Sequence, residues 1–453
     1  MRIDWHGDDG YEEARQAAVW NLRKPARYPE VIVQAETEGD VIDAVRLARD
    51  KNLKIKVRGT GHNRSASFLV DGGMLLDLGE LREMSIDTDA RIAVIGPGIY
   101  GGDLNTEAVA RGLFFPTAHE PFVGLGGFAM TGGYGWCVRR HGLGCANLRA
   151  IDVVTADGEL IHSDDDTNPD FVWAARGGGP GLFGAVVRFH LDLHPLPKAI
   201  RLSNYVYPME DWEEVYRWAD AIRPSFSRDL ELYVSMPRKP GGPAADEPVA
   251  MVLNATAMSD SDEEALAALK ILEHCPVIDR ATVRDFAMPK TVPELFTFSD
   301  TLQPAGYRYC LDNMVTSATP DDLVPALSAA MADIPNNLSH ILAILWHHPP
   351  GVPNAAWSVH GTLHVNLVGV WTDDADEEAN LRWATEHARR MEPLASGTYV
   401  GEAELVERPT LTFLSAENYA RYEELRAKHD PDGVFHPFTV GSEERAAKRE
   451  VLA

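Results

Sequence analysis

The sequence predicts an α+β fold, because two parts of the chain differ in their strand and helix pattern and the composition is that of a globular protein. Between Ala26 and Pro197, short strand-like runs alternate with helical stretches. After residue 198 the strand-like runs become longer, with amphipathic helices between them. Hydrophobic residues make up 45% and charged residues 24% of the 453 positions, as in ordinary folded domains. We expect one domain over residues 1–197, a second over 198–407 and a C-terminal segment over 408–453.

The predicted helices and strands between Ala26 and Pro197 are short. TEGDVIDAVRLARDKNL (residues 37–53) has an acidic residue in its first turn and apolar residues at helical spacing, which predicts a helix. LKIKVRG (53–59) alternates with a period of two, and MLLDL (74–78) and RIAVIG (91–96) are short β-rich runs. This mixture indicates an α+β domain.

The second part contains longer strands, among them LELYVSMP, VAMVLNATAM, GYRYCLDNMV and SVHGTLHVNLVGVW. Their alternating polarity, with amphipathic helices between or after them, predicts one antiparallel sheet with helices on a single face. The final segment NYARYEELRAKHDPDGVFHPF (418–438) reads as a helix that ends at Asp430 and Pro431. We expect this segment to fold back on the first domain.

Charge and cysteine content exclude several classes of partner. The net charge is −26, from 68 acidic and 42 basic residues, and would repel nucleic acid and anionic lipid. The start MRIDWHGDDGYEEAR lacks the features of a signal peptide, and the chain contains no apolar run of about 18 residues. The four cysteines form no zinc spacing and should be free thiols. We expect a cytoplasmic monomer or homodimer without a nucleic-acid or membrane partner.

Three glycine clusters lie in the first part: RGTGHN (58–63), GLGGFAMTGGYG (124–135) and RGGGPGLFG (176–184). Glycine allows backbone N–H groups to approach an anion closely, so such clusters suit a pyrophosphate. Each cluster taken alone is more typical of ordinary tight turns, because glycine marks turns more often than phosphate sites.

A fourth glycine pattern suggests a nicotinamide dinucleotide site, but its surroundings argue against one. Residues 96–101, GPGIYG, fit GxGxxG after a strand and before a helix. However, Pro97 occupies the tight turn, and no hydrophobic strand ending in an acidic residue follows about 20 residues later. We do not favour this interpretation.

Several motifs, in order, resemble the FAD-linked oxidases of the vanillyl-alcohol oxidase superfamily, in particular the 6-hydroxy-D-nicotine oxidase and berberine bridge enzyme-like branch. They are RGTGHN, DGGMLLDL, GLGGFAMTGGYGWCVRRHGLGCANL, AIDVVTADGEL, NPDFVWAARGGGPGLFGAVVRFHLDLHPLP and the C-terminal NYARYEELRAKHDPDGVF. The resemblance covers about half of the chain and implies a PCMH-type FAD-binding domain of two subdomains, followed by a substrate domain.

The resemblance implies that His62 carries the flavin through a covalent bond. An imidazole with an ordinary pKa of about 6.5 is neutral near neutral pH and can act as the nucleophile. The alternative is a loop histidine held by a backbone carbonyl. The resemblance also places Gly59, Thr60 and Gly61 around the pyrophosphate, with Asn63 capping the turn. The remaining cofactor residues that it implies are Arg58, Gly126, Gly127, Thr131, Gly132, Gly133, Gly135 and Asn147.

Departures from the family pattern limit what can be transferred. Some relatives carry a second, cysteinyl tether, but the aligned position here is Gly124, so we expect a single covalent bond. The family's Asp-Asn pair is Ala146-Asn147 here, its Asn-Phe-Gly is residues 182–184, LFG, and its YxNY strand is residues 399–402, YVGE. These changes leave the substrate open.

Four residues are candidates for catalysis, namely Tyr399, Glu402, Tyr307 and His360. Tyr399 and Glu402 lie in the strand that faces the flavin in relatives, and burial would make Glu402 a stronger base. His360 begins an alternating polar set with Thr362, His364 and Asn366, which either lines a cavity or forms the solvated face of a sheet.

Two further patterns have competing interpretations. Tyr307 shares a face with Tyr309, and the pair either flanks a substrate or packs in the core. The neighbouring His347 and His348 would point to opposite sides of a strand, so we predict no metal site.

These features predict an oxidase that removes hydride from a C–H bond next to an alcohol or amine. Its partners would be a small organic substrate and dioxygen, with hydrogen peroxide as product. The alternatives are a dehydrogenase or oxidative cyclase that uses another acceptor, and a catalytically inert flavin-binding protein.

Overall fold

A computed structural model of the chain describes residues 1–346, 351–408 and 413–437. The strands, in chain order, are β1 Arg2–Trp5, β2 Val31–Gln34, β3 Ile55–Arg58, β4 Met74–Asp77, β5 Met84–Asp87, β6 Ile92–Ile95, β7 Leu113–Phe114, β8 Leu148–Thr155, β9 Leu160–Ser163, β10 Gly184–Asp192, β11 His194–Pro195, β12 Ala199–Tyr207, β13 Leu230–Arg238, β14 Ala250–Ser259, β15 Val283–Pro289, β16 Arg308–Thr316, β17 His340–Leu345 and β18 Leu363–Trp371. The α-helices are α1 Tyr11–Ala17, α2 Glu38–Lys51, α3 Gly101–Val109, α4 Leu125–Met130, α5 Val138–His141, α6 Pro169–Gly178, α7 Trp212–Ile222, α8 Asp262–Leu269, α9 Val292–Leu302, α10 Pro320–Ala332, α11 Glu377–Met391 and α12 Ala416–His429.

A four-stranded sheet, in the order β1-β2-β4-β3, begins the first part of the chain. Strands β2, β4 and β3 run parallel, so their carboxyl ends meet at one edge. Helix α2 packs its apolar residues against this sheet and begins with a capping box between Thr37 and Asp40. The glycine turn at residues 58–63 therefore starts at the edge of a rigid sheet.

A five-stranded antiparallel sheet, in the order β5-β6-β10-β8-β9, completes the first part. Its long central strands β8 and β10 bury nearly all of their residues. Helices α4 and α6 pack with this sheet in one hydrophobic core. This packing brings the second and third glycine clusters close together.

A seven-stranded antiparallel sheet, in the order β15-β12-β14-β13-β17-β18-β16, forms the second part. Side chains of β13 alternate between its two faces: Leu232 and Val234 pack in the core with the helices, whereas Tyr233 and Ser235 line a cavity on the other side. Helices α7, α8, α10 and α11 contribute to the core on the first face. The predicted α+β fold with an antiparallel sheet is confirmed, but the helices do not all lie on one face, because α9 packs against Ile200 and Leu202 on the other face.

The C-terminal helix α12 returns to the first part of the chain. Tyr422 donates a hydrogen bond to the carbonyl of Gly178 at 2.8 Å, and Phe435 forms a parallel bridge with Ile55 of β3. The buried carboxylate of Asp430 accepts the backbone N–H groups of Val434 at 2.7 Å and Phe435 at 2.9 Å. Asp430 therefore shapes the turn that places Phe435 against β3. Residues 438–453 of the predicted C-terminal segment lie outside the described residues.

Replacing Asp430 with alanine should destabilise the protein by about 1–3 kcal/mol, because two buried N–H groups lose their acceptor. The thermal unfolding midpoint of the holoprotein measures this effect. Asp432→Ala is the matched control, since the Asp432 side chain is 73% exposed in the same turn. Equal shifts in the two variants would contradict the role assigned to Asp430.

The cysteines Cys137, Cys145, Cys275 and Cys310 are all buried and free, as the sequence predicts. Among the described residues, no helix combines the length and apolar character needed to span a bilayer.

Candidate functional site

A cavity lies between the two parts of the chain. Its walls come from the turn after β3, the segment from residue 118 to 136, the end of α9, and the face of the seven-stranded sheet opposite helices α7, α8, α10 and α11. The cavity therefore has one wall built from the predicted FAD-binding residues and another built from the predicted substrate domain.

Arg58 holds the glycine turn in place. Its guanidinium pairs with Asp77 at 2.6 Å, at the end of the neighbouring strand β4, and donates to the carbonyls of Ala18 and Thr60, each at 3.0 Å. Gly61 has φ +75°, and a Cβ atom there would lie 2.0 Å from the carbonyl oxygen of Ala18. Only glycine fits this position, so the turn keeps its backbone close to the cavity.

Asn63 caps the end of the turn, as predicted. Its Oδ1 accepts hydrogen bonds from the Ser67 backbone N–H and the Ser65 hydroxyl, both at 2.9 Å. The residues from Arg58 to Asn63 all line the cavity.

His62 presents an unpartnered nitrogen in this wall. Its imidazole packs against Trp20, with ring centroids 4.1 Å apart, and its buried Nε2 has no hydrogen-bond partner among the described residues. Burial lowers the pKa of His62 to about 4, with the nearby Arg64 acting in the same direction. A neutral imidazole with a free ring nitrogen fits the predicted attachment point.

The second glycine cluster contributes only part of the predicted set. Gly126, Gly127 and Thr131 line the cavity. The remaining predicted residues, Gly132, Gly133, Gly135 and Asn147, are absent from the cavity lining.

Close packing explains the glycines that do not reach the cavity. A Cβ atom on Gly132 would lie 2.6 Å from the Trp357 ring, and one on Gly135 would lie 2.1 Å from the Thr117 carbonyl oxygen. A Cβ on Gly133 would lie 2.9 Å from the Gly144 backbone. The assignment of these glycines to the cofactor is corrected to a packing role.

Asn147 is corrected for a different reason, because its side chain is already engaged. It donates to the carbonyls of Leu143 at 2.8 Å and His141 at 3.1 Å, and its Oδ1 lies 2.6 Å from His194 Nε2. The amide therefore stabilises the segment between the second cluster and β8.

Lys56 lines the cavity and was not identified from the sequence. Its buried ammonium donates to the carbonyls of Pro437 at 3.0 Å and Pro180 at 3.4 Å, and it has no carboxylate partner among the described residues. Burial lowers the pKa of Lys56 to about 7, with a further contribution from Arg426. The only sequence signal is a lysine inside the strand that precedes the turn.

A charged cluster forms another part of the cavity wall. Arg64 donates to Gln303 at 2.6 Å and Glu402 at 3.1 Å, and contacts Glu120 at 3.4 Å. Burial raises the pKa of Glu402, and the guanidinium of Arg64 opposes this shift. Glu402, a predicted catalytic residue, is therefore in the cavity and held by a salt bridge.

Tyr399 also lies in the cavity. The side chain of Asn313 holds the Tyr399 backbone through two hydrogen bonds of 2.9 Å, and the Tyr399 ring meets Tyr134 edge-to-face at 4.9 Å. Burial raises the pKa of Tyr399, and a hydrogen bond with Thr131 opposes this shift. Tyr399 is thus a neutral phenol at physiological pH.

The other two predicted catalytic residues are corrected, because neither lines the cavity. His360 is exposed and precedes β18, which begins at Leu363, so the strand alternation does not extend to it. Tyr307 precedes β16 and packs beside Tyr309, with ring centroids 6.4 Å apart.

His364, the second residue of β18, lines the cavity instead. Both of its ring nitrogens are buried without partners among the described residues, and burial lowers its pKa to about 3. Thr362 and Asn366, from the same alternating set, do not line the cavity.

Three further side chains meet at the cavity wall, where His119 and Tyr233 line the cavity and Glu231 is buried beside them. The Tyr233 hydroxyl lies 2.7 Å from Glu231 Oε2 and 2.5 Å from His119 Nε2. Glu231 and Tyr233 lie on β13, and His119 lies 112 positions before Glu231. No local motif marks any of the three.

A possible metal-ligand group lies outside the cavity. The ligand atoms of Asp152, His162 and His190 lie within 4.8 Å of one another. Asp152 already pairs with Arg188 at 2.9 Å and with His162 at 2.7 Å. These contacts account for the group as an ion-pair network, so we assign no metal to it. The predicted non-metal pair His347 and His348 lies outside the described residues.

Comparisons with known proteins agree with this geometry. A family model described as an FAD binding domain matches residues 29–164. The FAD-linked oxidoreductase nodO of Hypoxylon pulicicidum is 32% identical over 434 residues, which cover 93% of each protein. The (R)-6-hydroxynicotine oxidase of Paenarthrobacter nicotinovorans is 39% identical over 199 residues, or 44% of this chain and 42% of that protein.

Among solved structures, the berberine bridge enzyme-like protein 1 of Physcomitrella patens has the same fold. The TM-score is 0.82 at 18% sequence identity, over 97% of this chain and 96% of that one. This likeness shows the fold, and the match to nodO at 32% identity over 93% of each protein shows the family. The chain therefore belongs to the FAD-linked oxidoreductases.

Proposed function

We propose that the protein is an oxidase that removes hydride from a C–H bond next to a hydroxyl or amino group of a small organic substrate, with dioxygen as the final acceptor and hydrogen peroxide as product. The observation that carries this proposal is the cavity itself, in which the glycine turn at residues 58–63 faces the polar side of the seven-stranded sheet. When bound, FAD supplies the hydride acceptor and the route for electrons to dioxygen. The chain supplies orientation and a proton acceptor.

The residues of the first wall fit FAD with one covalent bond, through His62. His62 lines the cavity, and its neutral imidazole has a buried Nε2 without a hydrogen-bond partner among the described residues. Gly59, Thr60 and Gly61 present backbone N–H groups suited to a pyrophosphate, and Lys56 adds a buried ammonium without a carboxylate partner among the described residues. None of the four cysteines lines the cavity, which supports a single tether.

The opposite wall suits a small organic molecule with an apolar body and few polar groups. Leu342 and Ile344 provide apolar surface, whereas Ser235, Asn254 and Thr256 provide hydrogen-bonding groups. The relative named (R)-6-hydroxynicotine oxidase supports including hydroxylated cyclic amines among the candidate substrates.

Two residues near this wall can orient the reacting group. Tyr399, as a neutral phenol, can donate a hydrogen bond to a hydroxyl or amine. Glu402 can accept one through the oxygen that Arg64 does not hold. Both are proposed here as substrate-orienting residues.

The test is peroxide release by the purified holoprotein over a panel of alcohols, sugars and cyclic amines that includes both enantiomers of 6-hydroxynicotine. We expect at least one compound to bleach the flavin absorbance under anaerobic conditions, and admitted dioxygen to restore it with equimolar peroxide. A reduced protein that dioxygen does not reoxidise would indicate a dehydrogenase or an oxidative cyclase. Absence of bleaching by every compound would indicate an inert flavin-binding protein.

A further inference from the structure

We propose that His119 is the general base of the reaction, accepting the hydroxyl or amine proton of the substrate on Nδ1, and that Tyr233 and Glu231 hold its imidazole in the required tautomer. This inference rests on the proposed oxidase function and adds a proton acceptor to it. His119 and Tyr233 line the same cavity as His62, Tyr399 and Glu402, and Glu231 is buried and hydrogen-bonded to Tyr233.

The hydrogen bonds within the group determine where the protons lie. Glu231 is buried, and its Oε1 accepts the backbone N–H of Val138 at 3.3 Å. Burial and the neighbouring Glu231 raise the pKa of Tyr233, so its hydroxyl keeps its proton. A carboxylate can only accept, so Tyr233 donates to Glu231 Oε2 at 2.7 Å. The Tyr233 oxygen must then accept from His119 Nε2–H at 2.5 Å.

This assignment leaves His119 Nδ1 as the acceptor. Among the described residues, no hydrogen bond engages Nδ1, and the His119 side chain is 24% exposed. The ring edge-to-face contact with Trp136, at 4.2 Å between centroids, fixes the imidazole plane. His119 therefore has one nitrogen tied to the protein and one lone pair available to a bound molecule.

Three carboxylates and one guanidinium lie around His119. Glu231 lies 3.4 Å from Nε2, and Glu402 also interacts electrostatically with His119. The neighbouring Glu120 is the third carboxylate in this wall, and Arg64 is the cation that contacts both Glu120 and Glu402. A positive charge formed on the imidazole would be stabilised by Glu231 through Tyr233.

The step balances in atoms and electrons. The substrate O–H or N–H bond breaks, its proton goes to Nδ1, and its electron pair forms the new C=O or C=N bond. The adjacent C–H hydrogen leaves with both electrons as hydride, for which the FAD-linked activity supplies the oxidant. A base within hydrogen-bond reach typically contributes about 10²–10⁴-fold to such a rate.

The experiment measures anaerobic flavin bleaching by stopped flow, with a panel compound that reduces the wild type. His119→Gln should slow bleaching by about 10²–10⁴-fold, because the substrate proton loses its acceptor. Tyr233→Phe should lower the maximal bleaching rate with little change in the substrate concentration for half-maximal rate. The matched control is His274→Gln, an exposed histidine far from the cavity.

A second readout needs no substrate. Diethyl pyrocarbonate reacts with unprotonated imidazole nitrogens, so mass spectrometry of the native holoprotein should find His119 modified. Modification of His119 after denaturation alone would overturn the proposal.

The outcomes separate the two assignments. If a compound reduces the wild type and His119→Gln equally fast, the base assignment is wrong while the oxidase assignment stands. If no compound reduces the wild type, the oxidase assignment and the base assignment are rejected together.

Discussion

Replacing His62 with alanine is expected to abolish the flavin fluorescence that the wild-type protein retains on a denaturing gel. A covalently bound flavin stays with the unfolded chain, whereas a flavin held by hydrogen bonds and packing is lost when the fold is lost. The expected change is complete, because the proposed bond requires a nucleophilic ring nitrogen that alanine lacks. In the native protein, the Nε2 of His62 has no hydrogen-bond partner among the described residues.

The matched control is His364→Ala. His364 is also a fully buried histidine of the cavity with unpartnered ring nitrogens and a depressed pKa, but it lies on the opposite wall. Its variant should retain the fluorescent band. A band of equal intensity in His62→Ala would contradict the tether, and a band lost in both variants would indicate that any cavity substitution prevents flavin incorporation.

Mass spectrometry of the wild type provides the complementary measurement. One FAD per chain should be found on the peptide that contains His62. A second flavin-modified peptide would contradict the single bond. A Cβ atom at Gly124, the position at which the sequence comparison predicts no second tether, would lie 2.1 Å from Thr60 Oγ1. A larger side chain there would therefore force Thr60 and the pyrophosphate turn to move.

The glycine turn at residues 58–63 could be predicted from the sequence because its residues are close together in the chain. The turn at residues 58–63 follows a strand directly, and each glycine lies within a few positions of His62. Positive φ at Gly61 and the cap from Asn63 are properties of the turn itself. Motifs in the correct order were therefore sufficient to identify the wall and its cofactor.

The second cluster shows where local patterns fail. Glycines that approach a ligand and glycines that approach another segment have the same spacing in the sequence. Gly127 lines the cavity with open space around it, whereas Gly132 meets Trp357, which lies more than 200 positions later. That distinction depends on tertiary packing, which residue spacing does not encode.

The proposed catalytic residues were the least predictable part of the site, since they lie far apart in the sequence and meet only in the folded structure. His119 and Tyr233 are 114 positions apart and belong to no motif. The alternating set that begins at His360 assumes a strand that starts before this residue. In the structure β18 starts at Leu363, so His364 lies in the strand and His360 does not. An error of a few residues at a strand end is enough to exchange an exposed histidine for a buried one.

A buried ion pair supports the segment of the cavity wall that carries Tyr399 and Glu402. Arg408 and Asp312 are 2.8 Å apart, and their side chains are 5% and 0% exposed. Asp312 is adjacent on β16 to Asn313, which holds the backbone of Tyr399. The pair therefore supports the segment that carries Tyr399 and Glu402.

Replacing Arg408 with methionine should destabilise the holoprotein by about 3–5 kcal/mol, because it leaves the carboxylate of Asp312 buried without its cation. The unfolding midpoint in a thermal or urea titration measures the change. Arg46→Met is the control: the Arg46–Asp43 pair is 63% and 64% exposed, so its loss should cost about 0–1 kcal/mol. Similar losses in the two variants would contradict the structural role of the buried pair.

The pH dependence of this destabilisation follows from Asp312. Burial raises its pKa to about 7 despite Arg408, which acts in the opposite direction, and Glu404 contributes to the rise. Because this folded-state pKa lies above the ordinary value of about 3.9, the contribution of Asp312 to stability is present at low pH and declines as the pH rises towards 7. Without Arg408 the pKa should rise further, so the loss of stability in Arg408→Met should be smaller at pH 5 than at pH 8. Asp312→Asn combined with Arg408→Met should remove this dependence, and a loss that grows on acidification would contradict the assignment.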